Sequence, residues 1–191
     1  MTNQLFLEKL KQIDKSYFSL SDLKKIYPGK KKNLEVVLHR LVKQKRIERL
    51  SRGYYSLNLS SVDWEALACQ ILKPSYISLE YALHYWGIID QIPARITSIT
   101  TKKKREYRFK NNLFEYSRIS PKLYFGYKIE GNILIAEKEK ALLDELYLIS
   151  LKKRSLALKS LDLSKINKPL FNKWLKKFPA YVMKKAREIG I

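Results

Sequence analysis

The side chains best suited to chemistry with a polyanion fall in two short stretches of this 191-residue chain. Lys30, Lys31, Lys32, Asn33, Val36, His39, Arg40 and Lys43 stand between positions 30 and 43, and Arg49 and Arg52 follow within 47–57. Arg and Asn can make bidentate contacts to base edges, and Val can meet a thymine methyl. Positions 31, 32, 33, 36, 39 and 40 are therefore expected to face bases, while Lys30 and Lys43 hold phosphates. Arg49 and Arg52 would enter a minor groove or clamp the backbone beside it, with Tyr54 and Tyr55 packing the segment that carries them. A secondary polyanion contact, to flanking DNA or to RNA, is expected from Lys152, Lys153, Arg154, Lys173, Lys176, Lys177, Lys184, Lys185 and Arg187. The four basic residues at 102–105 read as a solvated turn.

Catalytic spacing is missing from the sequence. It holds no Gly-x-x-x-x-Gly-Lys-Ser/Thr or Gly-x-Gly-x-x-Gly loop, no Gly-x-Ser-x-Gly, and no His-Glu-x-x-His or Cys-x-x-Cys pair. His39 and His84 belong to different expected helices, and Cys69, near Ala66 and Ala68, reads as core. Glu137 with Glu139 and Asp144 with Glu145 are adjacent or alternate acids, which point apart on a helix. They are expected at the surface and at a helix cap. The expectation is a binding protein without catalysis, metal or cofactor.

Charge supports binding. There are 39 Lys and Arg against 18 Asp and Glu, a formal net charge of +21, with 46% apolar residues to build cores. Residues 1–58 carry +9 and residues 151–191 carry +10, leaving +2 for 59–150. Gathered charge of this kind is the footprint of a nucleic-acid partner. One cysteine and no signal-like leader point to the cytoplasm, and no apolar run approaches the roughly 20 residues of a membrane span.

The elements that must position these residues follow from periodicity. Leu5, Phe6, Leu10 and Ile13 predict a helix over 3–14, and Ser19 with Asp22 three residues on predicts a capped second helix carrying Leu20, Leu23 and Ile26. Leu34, Val37, Leu38, Leu41 and Val42 form the buried stripe of a third. Strands at 47–50 and 54–57 close around Gly53. Three helices and a basic hairpin in this order predict a winged helix-turn-helix over 1–58. Beyond it, helices at 62–72 and 78–86 (capped by Ser78, closed by Gly87), strands at 96–101, 107–110, 114–119, 123–125 and 133–136, and a leucine-rich helix at 141–148 predict a small α+β domain over 59–150. Residues 151–191 read as a basic helical region, possessing its own apolar set (Leu156, Leu158, Leu161, Leu170, Trp174, Leu175, Phe178, Tyr181, Val182, Ile189), broken at Pro169 and Pro179, and belonging either apart or to the same domain.

Three stretches resemble the antitoxin family of the abortive-infection E system, a phage-defence type IV toxin-antitoxin system. Residues 47–55 (IERLSRGYY) resemble its wing, 76–88 (YISLEYALHYWGI) the opening of its antitoxin domain, and 135–144 (IAEKEKALLD) the helix closing its sheet. Where the family usually has Gly before the first wing strand, this chain has Lys45-Arg46. The resemblance implies a repressor of its own operon that counters a nucleotidyltransferase-like toxin. Double-stranded DNA with an inverted-repeat operator, the cognate toxin and a second copy on DNA are the partners expected. The competing expectations are a general RNA- or polyanion-binding protein working through its basic tail, and a one-component regulator with a small-molecule pocket.

Overall fold

The computed structural model describes residues 2–156 and 160–191, and its first element is α1 (Asn3–Lys11), started by Thr2, whose hydroxyl accepts from the Leu5 N–H. The helix buries Phe6, Leu7 and Leu10. α2 (Leu20–Ile26) opens on the expected capping box: Ser19 Oγ accepts from the Asp22 N–H, and the Asp22 carboxylate accepts from the Ser19 N–H. α3 (Lys31–Lys43) buries Leu34, Leu38 and Leu41. Val37 and Val42 are half-buried. Together with Phe18, Leu23 and Ile47 these side chains form the core of the first of two compact units, Met1–Leu67 and Ala68–Ile191. The expected break at 58/59 thus moves to 67/68, and residues 151–191 belong to the second unit.

A strand that periodicity did not reveal organises the first unit. β1 (Phe18–Ser19), β2 (Glu48–Ser51) and β3 (Tyr54–Ser56) form an antiparallel sheet in the order β1-β3-β2. Two residues are too few to show alternation, so β1 is defined only by its partners, Tyr55 and Tyr54.

α3 ends in a Schellman geometry: the Lys45 N–H donates to Val42 C=O and the Arg46 N–H to Leu41 C=O. Lys45 therefore sits at φ +56, a region that costs an L-residue roughly 1–2 kcal/mol. Lys45→Gly should raise stability by about 0.5–1 kcal/mol, read as a higher urea midpoint at unchanged slope.

The second unit is built on a six-stranded mixed sheet of order β6-β7-β5-β4-β9-β8. Its strands are β4 (Ser75–Ile77), β5 (Ile96–Thr100), β6 (Arg105–Phe109), β7 (Asn112–Arg118), β8 (Tyr127–Glu130) and β9 (Ile133–Ala136). β5/β7 and β4/β9 pair parallel, the others antiparallel. β4 and β8 were not foreseen, and 123–125 is no strand, because Pro121–Leu123 forms a 3-10 turn. α4 (Trp64–Ile71) and α5 (Leu79–Tyr85) take the places of the two expected helices. Gly87 at φ +67 closes α5, but Ser78 does not cap it, since its hydroxyl turns to Asp144.

α6 (Lys138–Ser150) packs against α5, α7 (Lys168–Leu175) and α8 (Ala180–Glu188). Pro169 lies in the first turn of α7 and Pro179 at the N-cap of α8, so both prolines begin helices instead of breaking one. Leu158 lies outside the described residues. The chain is α+β, and no helix among the described residues is long and apolar enough to cross a membrane.

Candidate nucleic-acid interface

Two stripes run along the exposed side of α3. Lys31, Glu35, His39 and Val42, spaced i, i+4, i+8 and i+11, line a cleft of about 370 Å³ whose opposite wall holds Arg49, Arg52 and Tyr55. Lys32, Val36, Arg40 and Lys43 repeat the spacing one residue on and are exposed, Val36 at 46%. Lys30 is the N-cap and makes no side-chain cap bond. With no acid in the first turn and three consecutive lysines at 30–32, the positive end of the helix is left electropositive.

The hairpin is held by β1, which pairs with Tyr54 and Tyr55, and by the residues that flank β1. The Leu20 N–H donates to the Gly53 carbonyl at 2.7 Å, and Ser56 Oγ donates to the Ser16 carbonyl at 2.8 Å. Gly53 takes φ +82 at the turn. Between Arg49 and Ser51 the register slips; Leu50 is buried (2% exposed) while Arg49, on the opposite face of the strand, and Arg52, in the turn, face solvent. Tyr54 and Tyr55 are half-buried, Tyr54 against the ring of Tyr17.

The structure therefore gathers Lys31, His39, Arg49 and Arg52 at one cleft and sets Lys32, Asn33, Val36, Arg40 and Lys43 outside it on exposed helix surface. Glu35 escaped the sequence reading. It stands in the same cleft, 3.8 Å from the Lys31 ammonium, and would repel a phosphate placed there.

The tail residues separate. Lys152, Lys153, Lys173, Lys176, Lys177, Lys184 and Arg187 are exposed, with Lys177 over the Phe125 ring. Lys185 is half-buried and paired with Glu188. Arg154 is withdrawn: only 9% exposed, it bonds Glu80, Glu115 and Glu145 at 2.6–3.3 Å. An arginine held by three carboxylates is not offered to a polyanion. The 102–105 segment is exposed and ends in β6, where Lys104 pairs with Glu106.

The acids of α6 are also not where spacing placed them. Glu139, Asp144 and Glu145 are buried, Glu145 and Asp144 completely, because α6 is enclosed by neighbouring elements and has no solvent face to offer them. Glu139 accepts from the Asn167 N–H at the start of α7. Asp144 accepts from Tyr76 and Ser78, each at 2.9 Å, and from Lys140 one helical turn earlier. Lys140 also donates to Tyr76 Oη at 2.8 Å and lies among the rings of Tyr76, Phe125 and Phe178. Burial pushes the Lys140 ammonium down and the Asp144 carboxyl up, with their mutual pairing opposing both. The i, i+4 spacing of Lys140 and Asp144 was visible; their burial was not.

Burial alone would raise Glu115, but the Arg95 hydrogen bond and the charges of Arg154, Lys104 and Arg95 hold it below the usual range. Glu145 goes the other way. Burial pushes it up to about 7 despite Arg154, with Glu80 and Asp144 adding to the rise. Because the folded chain keeps a proton that the unfolded chain releases near 4.5, the stability this group contributes is full below that pH and fades as pH rises through about 7. Glu145→Gln should flatten that part of a stability profile measured between pH 4.5 and 8.

Cys69 is buried, its thiol donating towards the Leu134 carbonyl, and His84 Nδ1 lies 3.3 Å from the Ile89 carbonyl oxygen. No group of three or more His, Cys, Asp or Glu among the described residues could hold a metal ion. Neither a family model nor a curated protein matches this chain.

Proposed function

We propose that residues 1–58 are a winged helix-turn-helix and that the chain is a DNA-binding autorepressor of its own operon. In this reading α3 is the recognition helix and β2–β3 the wing. The observation that carries it is the unobstructed stripe Lys32, Val36, Arg40 and Lys43 beside a cleft walled by Arg49 and Arg52. Arg40 and Asn33 read base edges, Val36 meets a thymine methyl, and Lys30 and Lys43 hold phosphates on either side. The arginines of the wing enter the adjacent minor groove or its backbone. The exposed lysines of the tail add sequence-independent grip, with Arg154 excluded from that set.

The antitoxin role rests on the resemblance of residues 76–88 and 135–144 to the abortive-infection E family, and belongs in this reading to the second unit. A cytoplasmic binding protein without catalytic step or cofactor is the whole of the proposal. Its test is titration of the purified chain onto its own promoter region and onto a scrambled duplex of equal length, across a salt series. The promoter should be preferred by on the order of a thousandfold. Arg40→Ala should remove about 1–3 kcal/mol of that preference, and Arg52→Ala should weaken both duplexes and lower the salt slope by about one. Equal binding to both duplexes, indifferent to Arg40, would overturn the reading and leave a charge-driven grip.

A further inference from the structure

The six-stranded sheet has two edges of opposite character. At one, β6 carries Arg105 and Arg108, follows three lysines at 102–104 and precedes Lys110, with Glu106 as its sole acid. Two copies meeting there would bring like charges together, a known device against edge pairing. At the other edge β8 reads Tyr127-Lys128-Ile129-Glu130, one cation and one anion on four residues. Ile129 projects from it at 75% exposure.

The hairpin to β9 decides which backbone groups of β8 are open. Glu130 pairs with Ile133 across the two-residue turn at 131–132, and such a turn closes on a hydrogen bond between its flanking residues. Antiparallel pairing alternates, so Glu130 and Lys128 direct their N–H and C=O groups to β9. Those of Ile129 and Tyr127 point to the open edge.

We propose that β8 is a self-association edge, on which two copies of this chain pair antiparallel about a two-fold axis at Ile129. The edge is complementary to itself. Ile129 faces the Ile129 of the second copy, which exchanges both backbone hydrogen bonds with it. Lys128 falls opposite the second copy's Glu130, and Glu130 opposite its Lys128, as an isologous contact requires. Since Lys128 and Glu130 already pair within one strand at 2.6 Å, the dimer places four alternating charges in one cluster. Tyr127 keeps its ring stacked on Tyr76 and falls opposite Gly131, around which there is open space. A single short strand gives a small interface, and association is correspondingly weak. The inference does not depend on DNA binding.

Sedimentation velocity of the full chain without DNA, over a concentration series, tests it. The unsubstituted chain should pass reversibly from monomer to dimer. K128E and E130K should each weaken the dimer about tenfold or more, by setting like charges opposite one another. An equimolar mixture of the two should dimerise again, because every carboxylate of one variant then faces an ammonium of the other. Ile129→Lys removes no core side chain and should abolish the dimer at an unchanged melting temperature. A chain that stays monomeric throughout would overturn the proposal. So would a dimer indifferent to these substitutions, or a mixture no stronger than its components.

Discussion

Asp144→Ala should destabilise the second unit by about 3–5 kcal/mol, the cost of removing one partner from a buried ion pair and leaving the other charged. Lys140 would remain among Tyr76, Phe125 and Phe178 without its carboxylate, and Tyr76 and Ser78 would lose the acceptor they share. A strained turn would be released as well. Leu79, fully buried at φ +64, follows Ser78 directly, and such a conformation persists only where its surroundings over-determine it. Here those surroundings are Asp144 on the Ser78 hydroxyl, the Ser78 N–H on the Thr97 carbonyl, and Thr97 Oγ1 donating to the Ser78 carbonyl while accepting from the Tyr81 N–H. Urea denaturation followed by tryptophan fluorescence reports on this unit through Trp86 and Trp174. Replacing both charges, with Lys140→Met and Asp144→Leu together, should recover part of the loss, because the desolvation cost of the pair disappears with the pair while Tyr76 and Ser78 still lack their acceptor. A loss below about 1 kcal/mol in the single variant would mean that water reaches the cluster.

Arg154→Ala should cost a comparable 3–5 kcal/mol, since Glu115 and Glu145 are 6% and 0% exposed at their side chains and would lose the cation they share. Arg154→Lys should rescue little of this. A single ammonium cannot reproduce a guanidinium that reaches Glu80, Glu115 and Glu145 through three different nitrogens. The loss in Arg154→Ala should shrink on acidification, as Glu145, which then loses the guanidinium, and Glu115, which keeps Arg95, take up protons. Thermal melts at pH 5 and pH 8 measure this, and an equal loss at both would refute the assignment of Arg154 as a buried clamp. DNA affinity of Arg154→Lys, measured where it is folded, should match that of the parent chain.

The α3 region was legible because its signals are local. Leu34, Leu38 and Leu41 repeat at helical spacing, Ser19 and Asp22 sit at capping distance, and Gly53 marks the turn, each within a few residues of chain. What escaped was non-local. β1 has two residues and exists only because Tyr54 and Tyr55 pair with it, and β4 is known by its neighbours β5 and β9. Glu35 was passed over although it occupies the same helical stripe as Lys31 and His39, because its neighbourhood across the cleft is set by the hairpin.

The sequence by itself determined the α+β character, the order of the main helices, the basic stripe of α3 and most core positions of the first unit, all consequences of periodicity, capping and turn chemistry acting over one or two turns; it placed the end of α1 three residues late and counted Leu5, which is exposed, in place of the buried Leu7. Only the tertiary structure decided the fate of the charges in the second unit. The acids at 139, 144 and 145 and the cations Lys140 and Arg154 have the spacing of a solvated helix and a basic tail, yet they are buried and paired. The reason is physical: a charge is tolerated inside when counter-charges from distant segments meet it. Glu80, Glu115 and Glu145 come to Arg154 from α5, β7 and α6, and no pattern along the chain records that meeting.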